Sequence, residues 1–225
     1  MWVPAGVRLW FAGKVIEMDE IEIASGRFLL PGEFTVPSDA AGIAVFAHGS
    51  GSSRLSPRNV AVARTLNGRG VATLLFDLLT LDEADDRGKV FDISLLAGRL
   101  EDAVRWAMAL RPEGMSLPVG LFGASTGAAA ALVVAARLST EVAAVVSRGG
   151  RPDMAGRALE SVTSPTLLIV GGEDPVVLEL NRQAKRMLRG ENRLEVIPGA
   201  GHLFEEPGVL ERVADLAADW FLSHF

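Results

Sequence analysis

The chain has 225 residues, 49% hydrophobic and 22% charged, a composition typical of a globular protein with one buried core. It contains no cysteine, which excludes disulfide bonds, thiolate metal sites and a cysteine nucleophile. The formal net charge of −6 argues against a nucleic-acid-binding surface, and no apolar run is long enough to span a membrane. The composition therefore predicts neither a nucleic-acid nor a membrane partner and, by default, a cytoplasmic location.

The N-terminal segment differs in pattern from the rest of the chain. Residues 1–19 are predicted to be a leader of uncertain order, because Arg8 and Lys14 lie on the wrong side of the apolar stretch for a secretory signal. From Glu20 to Val36, apolar residues alternate around Gly and Pro turns, which predicts two antiparallel strands. Residues 20–225 are predicted to form a single domain, because no linker, repeat or low-complexity segment interrupts them.

After Val36 the chain alternates short continuous apolar runs with segments of helical periodicity. Such runs suit strands that are buried on both faces of a parallel sheet. Strands are predicted at 43–46, 71–76, 118–122, 142–146, 166–170 and 194–197. Helices are predicted at 58–66, 92–110, 126–138, 176–188 and 207–225. This alternation predicts an α/β fold with a mainly parallel central sheet and helices on both faces.

An acidic stretch, Asp82-Glu83-Ala84-Asp85-Asp86, lies between a predicted strand and a predicted helix. Runs of like charge are usually solvated, so the stretch is predicted to be an exposed loop. A metal site is the alternative, but nothing else in the chain supplies ligands at a recognisable spacing. No metal is therefore expected.

The most informative motif is Gly123-Ala124-Ser125-Thr126-Gly127, between the strand predicted at 118–122 and the helix at 126–138. In that context Gly-x-Ser-x-Gly is typical of a nucleophile elbow. The sharp reversal strains the serine backbone, and the glycines remove side chains that would collide with the strand and helix. The serine oxygen then lies at a helix N-terminus, which favours a developing anion. A chance glycine-rich turn and a phosphate-binding loop are the alternatives, although no Gly-Lys-Ser/Thr follows.

A serine hydroxyl becomes a nucleophile only when a base and an orienting carboxylate assist it. Asp174 and His202 come just after two neighbouring predicted strands, at the edge of the sheet where catalytic groups of α/β folds gather. Ser125, Asp174 and His202 are therefore predicted to form a catalytic triad. Glu173 and Asp153 are alternative acids. The structural alternatives are that Asp174 is a turn residue and His202 a surface or helix-capping histidine.

An oxyanion hole needs two backbone N–H donors. One is predicted at Thr126, directly after the nucleophile. The second is predicted in the loop His48-Gly49-Ser50-Gly51-Ser52-Ser53, where Ser50 is the first choice and Gly51 the second. His48 is predicted to brace this loop rather than act as a base, and His224 to lie at a solvated helix end.

These motifs resemble the α/β-hydrolase superfamily and, within it, the dienelactone-hydrolase-like group of small enzymes without a cap domain. The resemblance covers roughly residues 21–225 and rests on His48-Gly49-Ser50-Gly51, the serine motif, Gly172-Glu173-Asp174-Pro175 and Gly201-His202, with the triad in the family's order. The chain between the strands at 142–146 and 166–170 is too short for an inserted cap. Dienelactone hydrolases proper use a cysteine nucleophile, so its absence here favours a serine esterase over a dienelactone substrate.

The predicted function is a cofactor-free serine hydrolase that cleaves carboxylic esters of a small-molecule substrate through an acyl-enzyme. A non-catalytic binding or regulatory module is the alternative from another class, and thioesterase, lactonase and peptidase activities remain open. Arg54 and Arg148 follow predicted strands and could hold a substrate carboxylate, although surface solvation or loop bracing would also explain each of them. The protein is expected to be a monomer or a homodimer.

Overall fold

The computed structural model describes residues 7–11, 14–110 and 116–225. Within these residues nine strands form one sheet: β1 (Val7–Phe11), β2 (Lys14–Ser25), β3 (Phe28–Pro37), β4 (Ile43–Ala47), β5 (Ala72–Phe76), β6 (Val119–Ala124), β7 (Val142–Arg148), β8 (Thr166–Gly171) and β9 (Asn192–Ile197). The helices are α1 (Pro57–Gly68), α2 (Leu81–Ala84), α3 (Arg87–Val90), α4 (Ile93–Ala109), α5 (Thr126–Arg137), α6 (Pro175–Met187) and α7 (Val209–Leu222). A 3₁₀ segment, Pro152–Ser161, lies between β7 and β8.

The sheet is mainly parallel, as the sequence predicts. Its order is β1-β2-β3-β5-β4-β6-β7-β8-β9, with β4 through β9 parallel and β1 to β3 antiparallel at one edge. Every residue of β4, β5, β6 and β8 is buried, which is the pattern of strands covered on both faces. Helices α1 and α7 pack over one face, and α4 and α5 over the other.

The predicted boundary between a leader at 1–19 and a domain starting at residue 20 needs correction. It falls inside β2, and β1 pairs antiparallel with β2, from Val7 opposite Met18 to Phe11 opposite Lys14. An edge hairpin of this kind is specified by its pairing with β3, a non-local contact that the composition of the segment does not reveal. Positions 1–6, 12 and 13 of the predicted leader lie outside the described residues.

The chain between β7 and β8 contains only the 3₁₀ segment, which was not predicted and is kinked at Gly156. The absence of a cap domain at this point, predicted from the shortness of the link, is confirmed. The carboxyl end of the sheet is therefore not covered by an inserted domain. Across the part of the chain that the structure describes, no helix combines the length and apolar character needed to cross a membrane.

The acidic stretch is exposed at Asp82, Asp85 and Asp86, as the sequence predicts, but its first part belongs to helix α2 and Glu83 is buried. Glu83 lies in α2, is only 6% exposed and forms a capping box with Thr80. Its carboxylate pairs with the buried Arg99 of α4, with 2.6 Å between Arg99 Nη1 and Glu83 Oε2. The hydrogen bond from Arg99 outweighs the cost of burial and lowers the pKa of Glu83 to about 2. The charge that makes this burial possible comes from another helix, so the local sequence does not indicate it.

We expect Glu83→Gln to destabilise the protein by about 3 kcal/mol at pH 7, because it leaves Arg99 buried without its counter-charge. The folded-state pKa of Glu83 lies below its ordinary value of 4.5, so the ion pair stabilises the fold above that value. This contribution is lost as the pH falls towards 2. Urea unfolding at pH 7, 4 and 3 should show that the difference in the free energy of unfolding between wild type and variant becomes smaller as the pH falls. Asp82→Asn, at an exposed neighbour, should show no such gap.

Candidate active site

Ser125 lies at the turn between β6 and α5 in the strained conformation that the motif predicts. Its φ is 50° and its ψ is −119°, a region that side-chain-bearing residues rarely adopt. The turn is held from the end of β7, since the Ser125 N–H donates to the carbonyl of Arg148 at 3.2 Å. The Ser125 carbonyl accepts from the N–H of Arg151 at 3.0 Å. Neighbouring backbone therefore maintains a serine conformation that the local chain alone would not choose.

The two glycines of the motif are required by close contacts. A Cβ on Gly123 would lie 2.4 Å from Ala128 Cα, and a Cβ on Gly127 would lie 2.1 Å from the carbonyl oxygen of Ala47. Both distances are far below van der Waals contact. The sequence argument that side chains at these positions would collide with the strand and helix is confirmed.

Asp174 and His202 form a hydrogen-bonded pair. The distance from His202 Nδ1 to Asp174 Oδ2 is 2.7 Å. The His202 side chain is 39% exposed and the Asp174 side chain is 16% exposed. The other carboxylate oxygen, Asp174 Oδ1, accepts from the N–H of Val177 in the first turn of α6. Asp174 therefore caps a helix with one oxygen and orients the imidazole with the other.

Contacts at the end of β7 place His202 beside the serine turn. A Cβ on Gly149 would lie 3.6 Å from His202 Cε1 and 3.2 Å from the His202 carbonyl. Gly149 follows Arg148, whose carbonyl accepts the N–H of Ser125. The imidazole and the serine backbone thus both adjoin the Arg148–Gly149 peptide.

The two alternative acids have other surroundings. Asp153 accepts two hydrogen bonds from Arg151, at 2.8 and 2.7 Å. Glu173 is exposed, and its N–H donates to the carbonyl of Ala200. The carboxylate that contacts the imidazole is the one predicted as first choice.

The predicted oxyanion loop differs from expectation in one contact. The N–H of Ser50 donates to Thr126 Oγ1 at 2.9 Å, so in this structure that donor has a partner other than a substrate oxygen. The Thr126 N–H lies in the first turn of α5, where backbone donors have no acceptor within the helix. Thr126 thus presents a backbone donor beside Ser125, while its buried hydroxyl holds the loop. Sequence reasoning missed this second role, for which the hydroxyl directly after the nucleophile is the available signal.

His48 braces the same loop, as predicted. It is buried, its Nδ1 lies 3.0 Å from the carbonyl oxygen of Gly49, and the N–H of Leu78 donates to its Nε2 at 3.0 Å. The bond from Leu78 requires an unprotonated Nε2, so the hydrogen is on Nδ1 and the ring is neutral. Burial lowers the pKa of His48. This histidine joins the loop after β4 to the loop after β5 and has no nitrogen free to act as a base.

His224 is not the solvated helix end that the sequence predicts. Its side chain is 15% exposed and lies against the Trp220 ring, with 4.4 Å between ring centroids. The Nδ1 atom lies 2.7 Å from the Trp220 carbonyl oxygen. Trp220, one turn earlier, shields the His224 ring from solvent, a protection that residues at a helix end often lack.

The two arginines predicted as candidate substrate ligands have opposite environments. Arg54 is neutralised by Asp77, which accepts the Arg54 N–H at 2.7 Å and its Nη1 at 2.9 Å. Arg148 is 8% exposed, and its Nη1 is buried without a hydrogen-bond partner among the described residues. Burial, and secondarily the charge of Arg58, lowers the pKa of Arg148 to about 10. Arg54 thus holds a loop, whereas Arg148 has an unsatisfied charge.

A cavity of about 730 Å³ adjoins the serine turn. Its wall includes the loop from His48 to Ser53, Thr126 and the segment after β5. Leu78, Leu79, Val90 and Leu96 are among the apolar residues that line it. Another cavity, of about 770 Å³, lies beside β2 and β3 and is lined by Glu20, Glu22, Glu33 and Arg54. The first of these contacts the serine turn through Thr126, although Ser125 and His202 are not among the residues that line it. Among the described residues, no group of three or more acidic or histidine side chains could hold a metal ion.

Comparisons with known proteins agree with this architecture. Residues 40–215 match the family model described as "Alpha/beta hydrolase domain". A crystal structure of a dienelactone hydrolase from Anabaena variabilis is 50% identical, with a TM-score of 0.89 over 93% of this chain and 99% of that chain. Est1E from Butyrivibrio proteoclasticus is 18% identical, with a TM-score of 0.76 over 91% of this chain and 98% of its own, and shows the shared fold.

Curated relatives are longer than this chain. A Mycobacterium tuberculosis protein named "Putative phosphoribosyl transferase" is 60% identical over 206 residues, which are 92% of this chain and 46% of that protein. The chain therefore spans about half the length of the curated relatives that it matches. The family model and the similar dienelactone hydrolase nevertheless cover most of this chain. The chain belongs to the α/β-hydrolase family, in its dienelactone-hydrolase-like group.

Proposed function

We propose that this hydrolase is a serine esterase that cleaves carboxylic esters through an acyl-enzyme, with Ser125 as nucleophile, His202 as base and Asp174 as the orienting acid. The observation that carries the proposal is the 2.7 Å Asp174–His202 hydrogen bond beside a serine held at φ 50°. A carboxylate on Nδ1 leaves Nε2 as the acceptor that a serine hydroxyl needs. A strained serine backbone is typical of sites where strain has a function.

The proposed reaction proceeds in two halves. Ser125 Oγ attacks the ester carbonyl carbon while its proton passes to His202 Nε2, and the resulting tetrahedral oxyanion accepts the Thr126 N–H. The carbon–oxygen bond to the alcohol then breaks, and His202 returns the proton to the leaving oxygen. Water then attacks the acyl carbon while its proton passes to His202 Nε2. The bond between that carbon and Ser125 Oγ breaks, the acid is released, and His202 returns the proton to Oγ. Asp174 keeps the hydrogen on Nδ1 throughout and stabilises the imidazolium.

The second oxyanion donor requires a rearrangement in this proposal. The Ser50 N–H is committed to Thr126 Oγ1, so a substrate oxygen would either displace that hydroxyl or share the donor. Gly51, the second choice for this oxyanion donor, comes directly after Ser50 in the loop. Its φ is +67°, and a Cβ at this position would have no atom within 4 Å. The adjoining cavity gives room for one side of the ester, and its leucine and valine lining favours an apolar group there.

The name of the Mycobacterium tuberculosis relatives raises phosphoribosyl transfer as an activity of those longer proteins. For the part of those proteins that this chain matches, hydrolase chemistry is the better proposal, because this chain contains the serine turn and the Asp174–His202 pair. Four predictions accompany this proposal. The substrate is a small-molecule ester, the enzyme needs no cofactor, the protein is a monomer or a homodimer, and its location is cytoplasmic.

A fluorophosphonate probe tests whether the serine is activated. We expect the wild type to gain the mass of one phosphonyl group, localised to the peptide that contains Ser125, because only a serine with an adjacent base reacts rapidly. Ser50→Ala is the matched control, since it keeps the nucleophile and the Ser50 N–H and should label equally. A protein that remains unlabelled while folded would instead support the non-catalytic binding module. Labelled protein that cleaves only thioesters, lactones or peptides would change the substrate class.

A further inference from the structure

The loop formed by residues 148–151, at the end of β7, contacts both the proposed nucleophile and the proposed base. The carbonyl of Arg148 accepts the N–H of Ser125 at 3.2 Å, and the N–H of Arg151 donates to the carbonyl of Ser125 at 3.0 Å. A Cβ on Gly149, between these two residues, would lie 3.2 Å from the carbonyl oxygen of His202. The placement of the 148–151 loop therefore determines how Ser125 lies relative to His202.

The middle of the 148–151 loop consists of two glycines, so no side chain of its own fixes it there. Gly149 has φ +53°, a conformation that glycine adopts readily. A Cβ on Gly150 would lie 2.0 Å from Ser147 Oγ and 2.6 Å from Ala128 Cβ, so close packing requires glycine at this position. Glycine also has the greatest conformational freedom of all residues. A group outside the loop must therefore restrain it.

Asn181 of α6 supplies this restraint. Its side chain is completely buried, and it is the polar member of the stripe by which α6 packs onto the core, with Val177, Leu178 and Ala184. Its Nδ2 donates to the carbonyl of Gly150 at 2.9 Å and to the carbonyl of Val177 at 2.8 Å. Both acceptors are carbonyl oxygens, which fixes the orientation of the amide, because only its NH₂ group can donate. The bond to Gly150 joins α6 to the 148–151 loop.

Packing alone does not explain an asparagine in this stripe. Its Oδ1 atom is buried and has no hydrogen-bond partner among the residues that the structure describes. A buried acceptor without a partner is costly, and a leucine of similar volume would avoid that cost and bury more apolar surface. The amide at position 181 is therefore explained by the hydrogen bond to Gly150 rather than by the core.

The same helix also carries the proposed orienting acid. Asp174 is the N-cap residue of α6, and its Oδ2 lies 2.7 Å from His202 Nδ1. Two turns further along α6, Asn181 donates to Gly150. The helix therefore contacts the imidazole at its first residue and, through the 148–151 loop, restrains the serine turn.

We propose that Asn181 is a positioning residue, which fixes the 148–151 loop relative to α6 and so sets the placement of Ser125 against His202. It acts through the loop and does not touch the substrate. This inference rests on the proposed esterase function, to which it adds the residue that keeps the nucleophile and the Asp174–His202 pair in register.

Steady-state kinetics of Asn181→Leu test this role, because leucine removes the amide donor with little change in volume. We expect kcat for 4-nitrophenyl hexanoate to fall about 10- to 100-fold, since a serine displaced from its base reacts more slowly. KM should change less than about threefold, because Asn181 makes no contact with the substrate in the proposal. The fluorophosphonate probe should label the variant more slowly by a factor similar to the loss in kcat.

Asn67→Leu is the matched control. Asn67 is also buried, and its Nδ2 donates to the carbonyl of Val71 and to Thr73 Oγ1, both at 3.0 Å. These acceptors lie at the start of β5, the end of the strand remote from the serine turn. The two variants therefore lose the same kind of buried amide and should show similar decreases in Tm, whereas Asn67→Leu should keep kcat within about twofold of wild type. Equal losses of kcat in both would reveal general destabilisation and overturn the inference.

Amide hydrogen exchange, followed by NMR, gives a readout that does not depend on activity. Asn181→Leu should speed exchange of the Arg151 N–H by about tenfold or more, because the loop that holds this N–H against the Ser125 carbonyl opens more often, and Asn67→Leu should not. Unchanged exchange or unchanged kcat in folded Asn181→Leu overturns the inference. If Asn181→Leu does not fold, Asn181→Ala decides by the same comparison with Asn67→Ala. A wild type that hydrolyses no ester would refute the esterase, whereas faster exchange in Asn181→Leu would leave the restraint on the loop standing.

Discussion

Ser125→Ala should lower kcat for ester hydrolysis by at least about 10⁴-fold while the protein remains folded. The substitution removes only Oγ, the atom that forms the acyl bond in the proposed mechanism. Alanine retains a Cβ, so the strain at φ 50° is the same as in the wild type and the Tm should be nearly unchanged. Steady-state kinetics with 4-nitrophenyl hexanoate and a thermal melt measure both quantities. Retention of more than a hundredth of the wild-type kcat would contradict the nucleophile assignment.

Ser125→Gly separates strain from chemistry in the same experiment. Glycine adopts positive φ without cost, so this variant should be as inactive as Ser125→Ala and more stable by about 1 kcal/mol or more. The matched control is Gly26→Ala, at another position with φ +56° and open space around it. There the alanine should destabilise by about the same amount. Equal Tm values for Ser125→Ala and Ser125→Gly would show that the serine turn stores no backbone strain.

The parallel core was predictable because its strands are unusual in sequence. A run such as Ile43–Ala47 is apolar at every position and is buried at every position, so burial on both faces follows directly from composition. The bounds of α5 were also predictable, because the serine motif sets its start. By contrast, β1 and the first half of β2 depend on pairing at the sheet edge, which no local pattern specifies.

The candidate site could be predicted where chemistry restricts the residue type. A serine between glycines is followed by an acid and a histidine after successive strands, and this order allows few alternative triads. The Asp174–His202 contact agrees with the prediction. The oxyanion loop was less predictable, because the Thr126 hydroxyl competes for the Ser50 N–H. The unpaired state of Arg148 was also invisible, since it depends on which carboxylates the fold brings near. Asp77 reaches Arg54, and Glu205 reaches Arg58, but neither is paired with Arg148.

Asp174→Asn should lower kcat by about 10³- to 10⁴-fold with little loss of stability. The amide oxygen is expected to take the place of Oδ1, because the N–H of Val177 requires an acceptor there, and asparagine caps helices as well as aspartate does. The amide NH₂ then faces His202 Nδ1 in place of Oδ2. Nδ1 must accept a hydrogen bond from this NH₂, so the ring hydrogen moves to Nε2, which can no longer accept the serine proton.

Kinetics at constant pH together with a melt distinguish this tautomer effect from unfolding. Asp153→Asn and Glu173→Gln are the controls, since Asp153 is paired with Arg151 and Glu173 is exposed, and both should keep kcat within about twofold of wild type. The fluorophosphonate probe should label Asp174→Asn slowly, because the serine remains but its base has the wrong tautomer. Full activity in Asp174→Asn, with Glu173→Gln impaired instead, would transfer the orienting role to the neighbouring acid. Full activity in all three variants would mean that none of these carboxylates orients His202, and the proposed mechanism would lose its orienting acid.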